Sequence, residues 1–163
     1  METIILFAVS VLTGLLVWNK IIKKYLWIPY KDLGLKKAAE PILFLHLFRF
    51  AGLSFLIPGV VNAGLDPAWA IPAAFGDFAA AILAFITLSL ANSNSAVFRP
   101  LLWVFNILGL ADLLLAFIDG PRYNILPFLG AGYFIIILYV PVLLLTHLMV
   151  FRLLLKNKKV QLN

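Results

Sequence analysis

The sequence contains no cysteine, which excludes disulfides, thiolate metal sites, iron–sulfur clusters and cysteine nucleophiles. Charge is also scarce. Only 12% of residues are Asp, Glu, Lys or Arg while 64% are hydrophobic, whereas a soluble domain is about half apolar and about a quarter charged. That balance does not suit a soluble fold. There is no glycine-rich phosphate loop, no H-E-x-x-H, no G-x-S-x-G and no paired acidic cation motif, so no catalytic residue is identified and the expectation leans away from an enzyme. The two halves show no convincing repeat. This weighs against a conventional inverted-repeat transporter unless the protein forms a homo-oligomer.

What the chain has is long apolar runs. Its 163 residues suffice for five helices of roughly 20 residues with short connections. We therefore expect an all-α fold, a polytopic membrane helical bundle forming one integral membrane domain over 1–163. The spans are expected at about 3–19, 41–58, 68–91, 101–118 and 131–155. Pro41 is placed in the first turn of the second span, Pro58-Gly59 at its end, and Asp66-Pro67 as N-cap and N1 of the third. The first span carries a small, weakly polar stripe, Ser10, Thr13 and Gly14, suited to packing against another helix. Met1-Glu2 has no basic flank and no cleavage-like site precedes Lys20, so that span is expected to be retained.

The net charge of +6 does not point to nucleic acid, because the basic residues cluster beside apolar segments rather than along one face. Lys20, Lys23, Lys24, Lys31, Lys36 and Lys37 fall in a basic loop at 20–40, with Tyr25, Trp27 and Tyr30 among them. Arg99 lies in the polar turn at 92–100, and Arg152, Lys156, Lys158 and Lys159 lie toward the C-terminal end, whereas only Arg122 lies in the opposite loops. The positive-inside rule then puts the N-terminus outside and the C-terminus in the cytoplasm. Aromatic rings and lysines in the first loop suit a lipid headgroup layer.

Several strong polar groups lie inside the spans. A charge near the bilayer centre costs at least roughly 2.5–3.5 kcal/mol, so each needs a partner or a watery cavity. At about 1.5 Å per residue, Arg49 lies roughly 12 Å from the inner edge, and Asp77 and Asp112 roughly 12–16 Å from the outer one. Arg49 is thus within reach of either carboxylate. The same count puts His46, Asn106 and His147 in a second, shallower layer roughly 8–12 Å from the cytoplasmic edge. Ala73, Asp77, Ala80, Ala84 and Thr87 share one helical stripe, which turns Asp77 into the bundle. Gly76 and Gly109 permit close backbone approach, and Pro141 is expected to kink the fifth span.

Three functions remain open. One Arg against two Asp leaves a carboxylate to be neutralised or hydrated, which suits a small-solute or proton binding or transport module built on Arg49, Asp77, Asp112 and Asn106. Alternatively, His46 and His147 ligate haem or a metal in a redox protein with quinone as a partner. In the third, the polar groups are helix glue in a subunit of a larger membrane complex.

The segments FRFAGLSFLIPG, WAIPAAFGDFAAAILA, FNILGLADLLLAFI and LYVPVLLLTHLMVFRLL resemble a family of small, mostly uncharacterised bacterial integral membrane proteins. The likeness covers roughly residues 44 to 152, its GD and NxLGxxD pieces being the most specific. It implies a compact helical domain in a bacterial cytoplasmic membrane, marked here by Arg49, Gly76, Asp77, Asn106, Asp112 and His147, and implies no activity. The spacing of Arg49, Gly52 and Phe55 is also similar to an R-x-x-G-x-x-F segment of DoxX-like membrane proteins. That likeness implies a helical bundle near quinone or redox chemistry.

Overall fold

The computed structural model describes residues 2–91, 93 and 95–159, with side chains up to Lys156. Among the described residues there is no strand, and five helices are long and apolar enough to cross a membrane by length and composition. These are α1 (Glu2–Tyr30), α2 (Leu35–Leu56), α3 (Pro67–Ser89), α4 (Phe98–Arg122) and α5 (Gly132–Lys156). Asp66 starts α3 as expected, its carboxylate accepting from the Ala68 N–H at 2.8 Å just ahead of Pro67.

The helix ends differ from expectation because hydropathy reports polarity and not backbone conformation. The basic segment 20–40 is not a loop. Its lysines continue α1 to Tyr30 and begin α2 at Leu35, leaving only 31–34 as a turn, with Gly34 at φ +86° before the new helix. Pro41 consequently sits inside α2 and not in its first turn. Asp119-Gly120-Pro121-Arg122 forms the last turn of α4, with Asp119 and Arg122 an exposed pair 3.9 Å apart. Asn92 and Asn94 of the polar turn, and the Lys158 and Lys159 side chains, lie outside this description.

Two widened π turns share a cause. Lys23–Trp27 precedes Pro29 and Ile135–Tyr139 precedes Pro141. In each, the residue just before the proline donates five residues back, Ile28 to Lys23 and Val140 to Ile135. A proline interior to a helix lacks an N–H and crowds the carbonyl four residues earlier, and a wider turn relieves both. Pro141 leaves the Ile137 carbonyl without its usual donor, and α1 packs there. A Cβ added at Gly14 would lie 2.6 Å from that oxygen. Beside it the Trp18 indole donates to the Leu138 carbonyl at 2.7 Å, and the Tyr133 and Ser10 hydroxyls lie 3.2 Å apart. The small stripe on α1 therefore seats the helix on the π turn of α5.

The connections gather at two ends. At one, Lys156 donates to Asp32 at 2.7 Å, holding that carboxyl below its ordinary range, and Lys36 donates to the Ser93 carbonyl. At the other, the Asn62 N–H donates to Phe128 O at 2.9 Å and the Ala131 N–H to Val60 O at 2.8 Å. Each end has an apolar core: Ala38, Ile42, Leu43, Phe98, Leu102, Phe105 and Val150 at the first, Phe55, Trp69, Ala70, Ala74, Ile125 and Leu129 at the second. On α2, α3 and α4 the strong polar groups lie between the stretches that feed these cores.

Candidate functional site

The second half of α2, Phe48–Leu56, is wound as a 3-10 helix. With three residues per turn, positions three apart eclipse one another. Arg49, Gly52 and Phe55 therefore stand in one line, and these are the three residues of the segment that are buried. Phe48 and Phe50 on either side of Arg49 are exposed.

Arg49 is fully buried, and four of its five N–H groups have protein acceptors. Nε donates to Asp77 Oδ1 at 2.7 Å and one Nη2 hydrogen to Asp112 Oδ2 at 2.6 Å. The two Nη1 hydrogens go to the Gly109 carbonyl at 3.0 Å and to His147 Nε2 at 3.2 Å. Glycines on three helices make room for this fan. A Cβ at Gly52 would overlap the Asp77 carboxylate, and one at Gly76 the Asp112 carboxylate. One at Gly109 would lie 2.9 Å from Arg49 Nη1 and 2.8 Å from His147 Cε1.

The hydrogen bonds set the histidine tautomers. A guanidinium can only donate, so His147 Nε2 accepts and its Nδ1–H donates to Asn106 Oδ1, 2.8 Å away. The Thr146 hydroxyl gives its proton to the backbone at Val142 or Leu143, so it accepts from His46 Nε2 at 2.9 Å. His46 Nδ1 and Asn106 Nδ2 are left buried without a partner among the described residues. The His46 and His147 rings meet at 4.4 Å between centroids, with Phe105 against both.

All six candidate residues are thus placed together, and in one respect differently from expectation. Arg49 touches His147 directly, so the two layers are one connected network. Depth counted along straight helices gives only Cα positions, whereas a long arginine spans the interval. Arg49 also bonds both carboxylates rather than either one. The residues that sequence reasoning missed are Thr146, whose only signal was its place beside His147, and Gly52 as the seat of Asp77. Tyr139 was missed too; its hydroxyl donates to the Leu45 carbonyl at 2.6 Å.

One donor pair bears on cofactors. The expected haem or metal pair, His46 and His147, does not fit as it stands, because both His147 nitrogens are engaged and the ring contact leaves no space for a porphyrin between them. Among the described residues no three His, Asp or Glu side chains group as metal ligands.

Above the carboxylates lies a cavity of about 400 Å³. Phe7, Phe55, Trp69, Leu113, Phe117 and Ile136 form its apolar walls, and Asp77 and Asp112 line its floor. Trp69 has its N–H committed to the Ala116 carbonyl at 2.8 Å and presents its ring. Asp77 is 8% exposed, and the Asp112 side chain 21%.

The chain belongs to a family defined by a domain of unknown function (DUF8737), whose model matches residues 6–155. No curated protein and no solved structure matches it. The family supports the expected uncharacterised kind and lends nothing to the DoxX-like resemblance.

Proposed function

We propose that this member of the family is a multi-pass protein of a bacterial cytoplasmic membrane that binds a small solute or a proton, for transport, at Arg49, Asp77 and Asp112. The observation that carries this reading is one guanidinium shared by two carboxylates on the floor of a cavity. One positive charge faces two negative ones, so the site has an open place for a proton or a cation. Among the described residues His147, His46 and Tyr139 are the other titratable groups around it, and the hydrogen bonds spend His147 on holding Arg49.

The test uses the full chain in liposomes with a trapped pH dye. Wild type should collapse an imposed pH gradient faster than protein-free liposomes, and Asp112→Asn should slow this by about tenfold or more, since one neutral side chain removes the surplus charge. Equal rates in wild type, Asp77→Asn and Asp112→Asn would overturn the reading. The extent to which Arg49 is satisfied favours a second one, in which the cluster is only helix glue. On that reading both variants melt lower and move no fewer protons.

The proposed orientation rests on the basic residues at 20–37, Arg99, Arg152 and Lys156 sharing one end, against Arg122 at the other. The absence of cysteine makes it directly testable. In intact cells, Asn124→Cys should react with a membrane-impermeant maleimide and Lys31→Cys only after lysis; the reverse pattern refutes N-out.

A further inference from the structure

The shape and chemistry of the cavity narrow the occupant. We infer that it takes a monovalent organic cation with an apolar body, such as a protonated amine, whose charged head meets Asp77 and Asp112. This inference rests on the preceding reading and names the solute for the same site.

The floor supplies the charge. Arg49 uses one oxygen of each carboxylate, Asp77 Oδ1 and Asp112 Oδ2. Among the described residues no donor reaches the other oxygen of either. The Asp77 side chain is 11% exposed and the Asp112 side chain 21%, so each carboxylate keeps some accessible area and one oxygen without a protein donor. Those two oxygens rest against Gly52 and Gly76, and an ammonium at the cavity floor brings N–H donors to the accessible edge of the carboxylates and the single positive charge that equalises the cluster. An anion meets surplus negative charge there, and a neutral molecule leaves it unbalanced.

The walls supply the rest of the selection. Phe7, Phe55, Trp69 and Phe117 offer ring faces and edges, which attract a desolvated organic cation and bury its apolar body. Phe55 and Trp69 meet edge to face at 5.3 Å and fix that side of the wall. A small hydrated metal ion needs more oxygen ligands than two carboxylates provide, usually six or more for a hard divalent cation. A sugar needs polar partners along its length, and these walls have few. A volume of about 400 Å³ lies at the small end of ligand pockets, about 300–1,000 Å³. One ring with a short aminoalkyl arm suits it.

The experiment titrates the detergent-solubilised full chain at pH 7 with three probes of nearly equal size: phenethylammonium, phenethyl alcohol and phenylacetate. Heats from matched protein-free micelles are subtracted. The ammonium should bind at least about tenfold more tightly than the alcohol, and phenylacetate should not bind. Asp112→Asn should abolish the preference for the ammonium over the alcohol. Ala116→Phe, which fills the cavity and leaves every charge in place, should remove both. Should either variant fail to fold, the wild-type contrast between ammonium and alcohol decides by itself. Equal affinities for the two, or no binding by either, overturn the cation. If Asp112→Asn still slows proton movement in liposomes, only the class of solute falls; if it does not, the Arg49/Asp77/Asp112 reading falls with it.

Discussion

Arg49→Met should cost about 3–5 kcal/mol of stability, the usual penalty for removing one partner from a buried charge network. The guanidinium is the sole countercharge that the described residues place between Asp77 and Asp112, and it lies 2.7 and 2.6 Å from them. Without it two carboxylates share a desolvated space. The Gly109 carbonyl and His147 Nε2 lose their donor as well. Thermal unfolding in detergent measures the loss. Adding Asp77→Asn and Asp112→Asn to Arg49→Met should restore most of it, because replacing a whole buried ion cluster by neutral groups is often close to neutral. Arg49→Lys should recover less than half, since a point-like ammonium lacks the planar fan that reaches acceptors on three helices. An Arg49→Met protein that melts like wild type would refute the network.

Gly52→Ala should be strongly destabilising as well. Its Cβ would sit 2.6 Å from Asp77 Cβ and 2.9 Å from Cγ, so the collision is with the root of the side chain rather than a movable tip. Relief requires α2 and α3 to separate at the point where Arg49 and Asp77 meet. Overpacking of this kind costs about 1–3 kcal/mol, and Gly52→Val should cost more. Gly120→Ala is the control. There the nearest atom is Ile125 Cδ1 at 3.1 Å, the end of a flexible chain, and the change should stay within about 0.5 kcal/mol. Gly52→Ala and Gly120→Ala melting alike would mean that α2 and α3 are not so close.

The five long apolar helices were legible because length and apolarity are what the sequence displays directly. Their ends were not. Lys20, Lys23 and Lys24 mark where a chain leaves an apolar layer, but a helix can continue among polar residues, as α1 does to Tyr30. The candidate site was legible for a related reason. Arg49, Asp77, Asp112, Asn106, His46 and His147 stand out because such groups are costly inside apolar segments. Their connections were hidden, since a count along separate helices cannot show that one arginine bridges both sets, and Thr146 looks like any threonine. The cavity had no sequence signal, because Phe7, Phe55, Trp69 and Phe117 come from four different helices.

The 3-10 winding of Phe48–Leu56 couples two things that a sequence treats as separate. Rewound as an α-helix at about 100° rather than about 120° per residue, the segment would carry Gly52 about 60° and Phe55 about 120° out of line with Arg49. It would also shorten by about 4–5 Å, at roughly 0.5 Å per residue. The pitch of this one segment therefore sets how far the Pro58-Gly59 turn stands from the guanidinium, and whether Phe55 faces the cavity at all. A substitution that favours α winding anywhere in these nine residues would rotate the cavity wall and pull in the loop together, without touching a charged group.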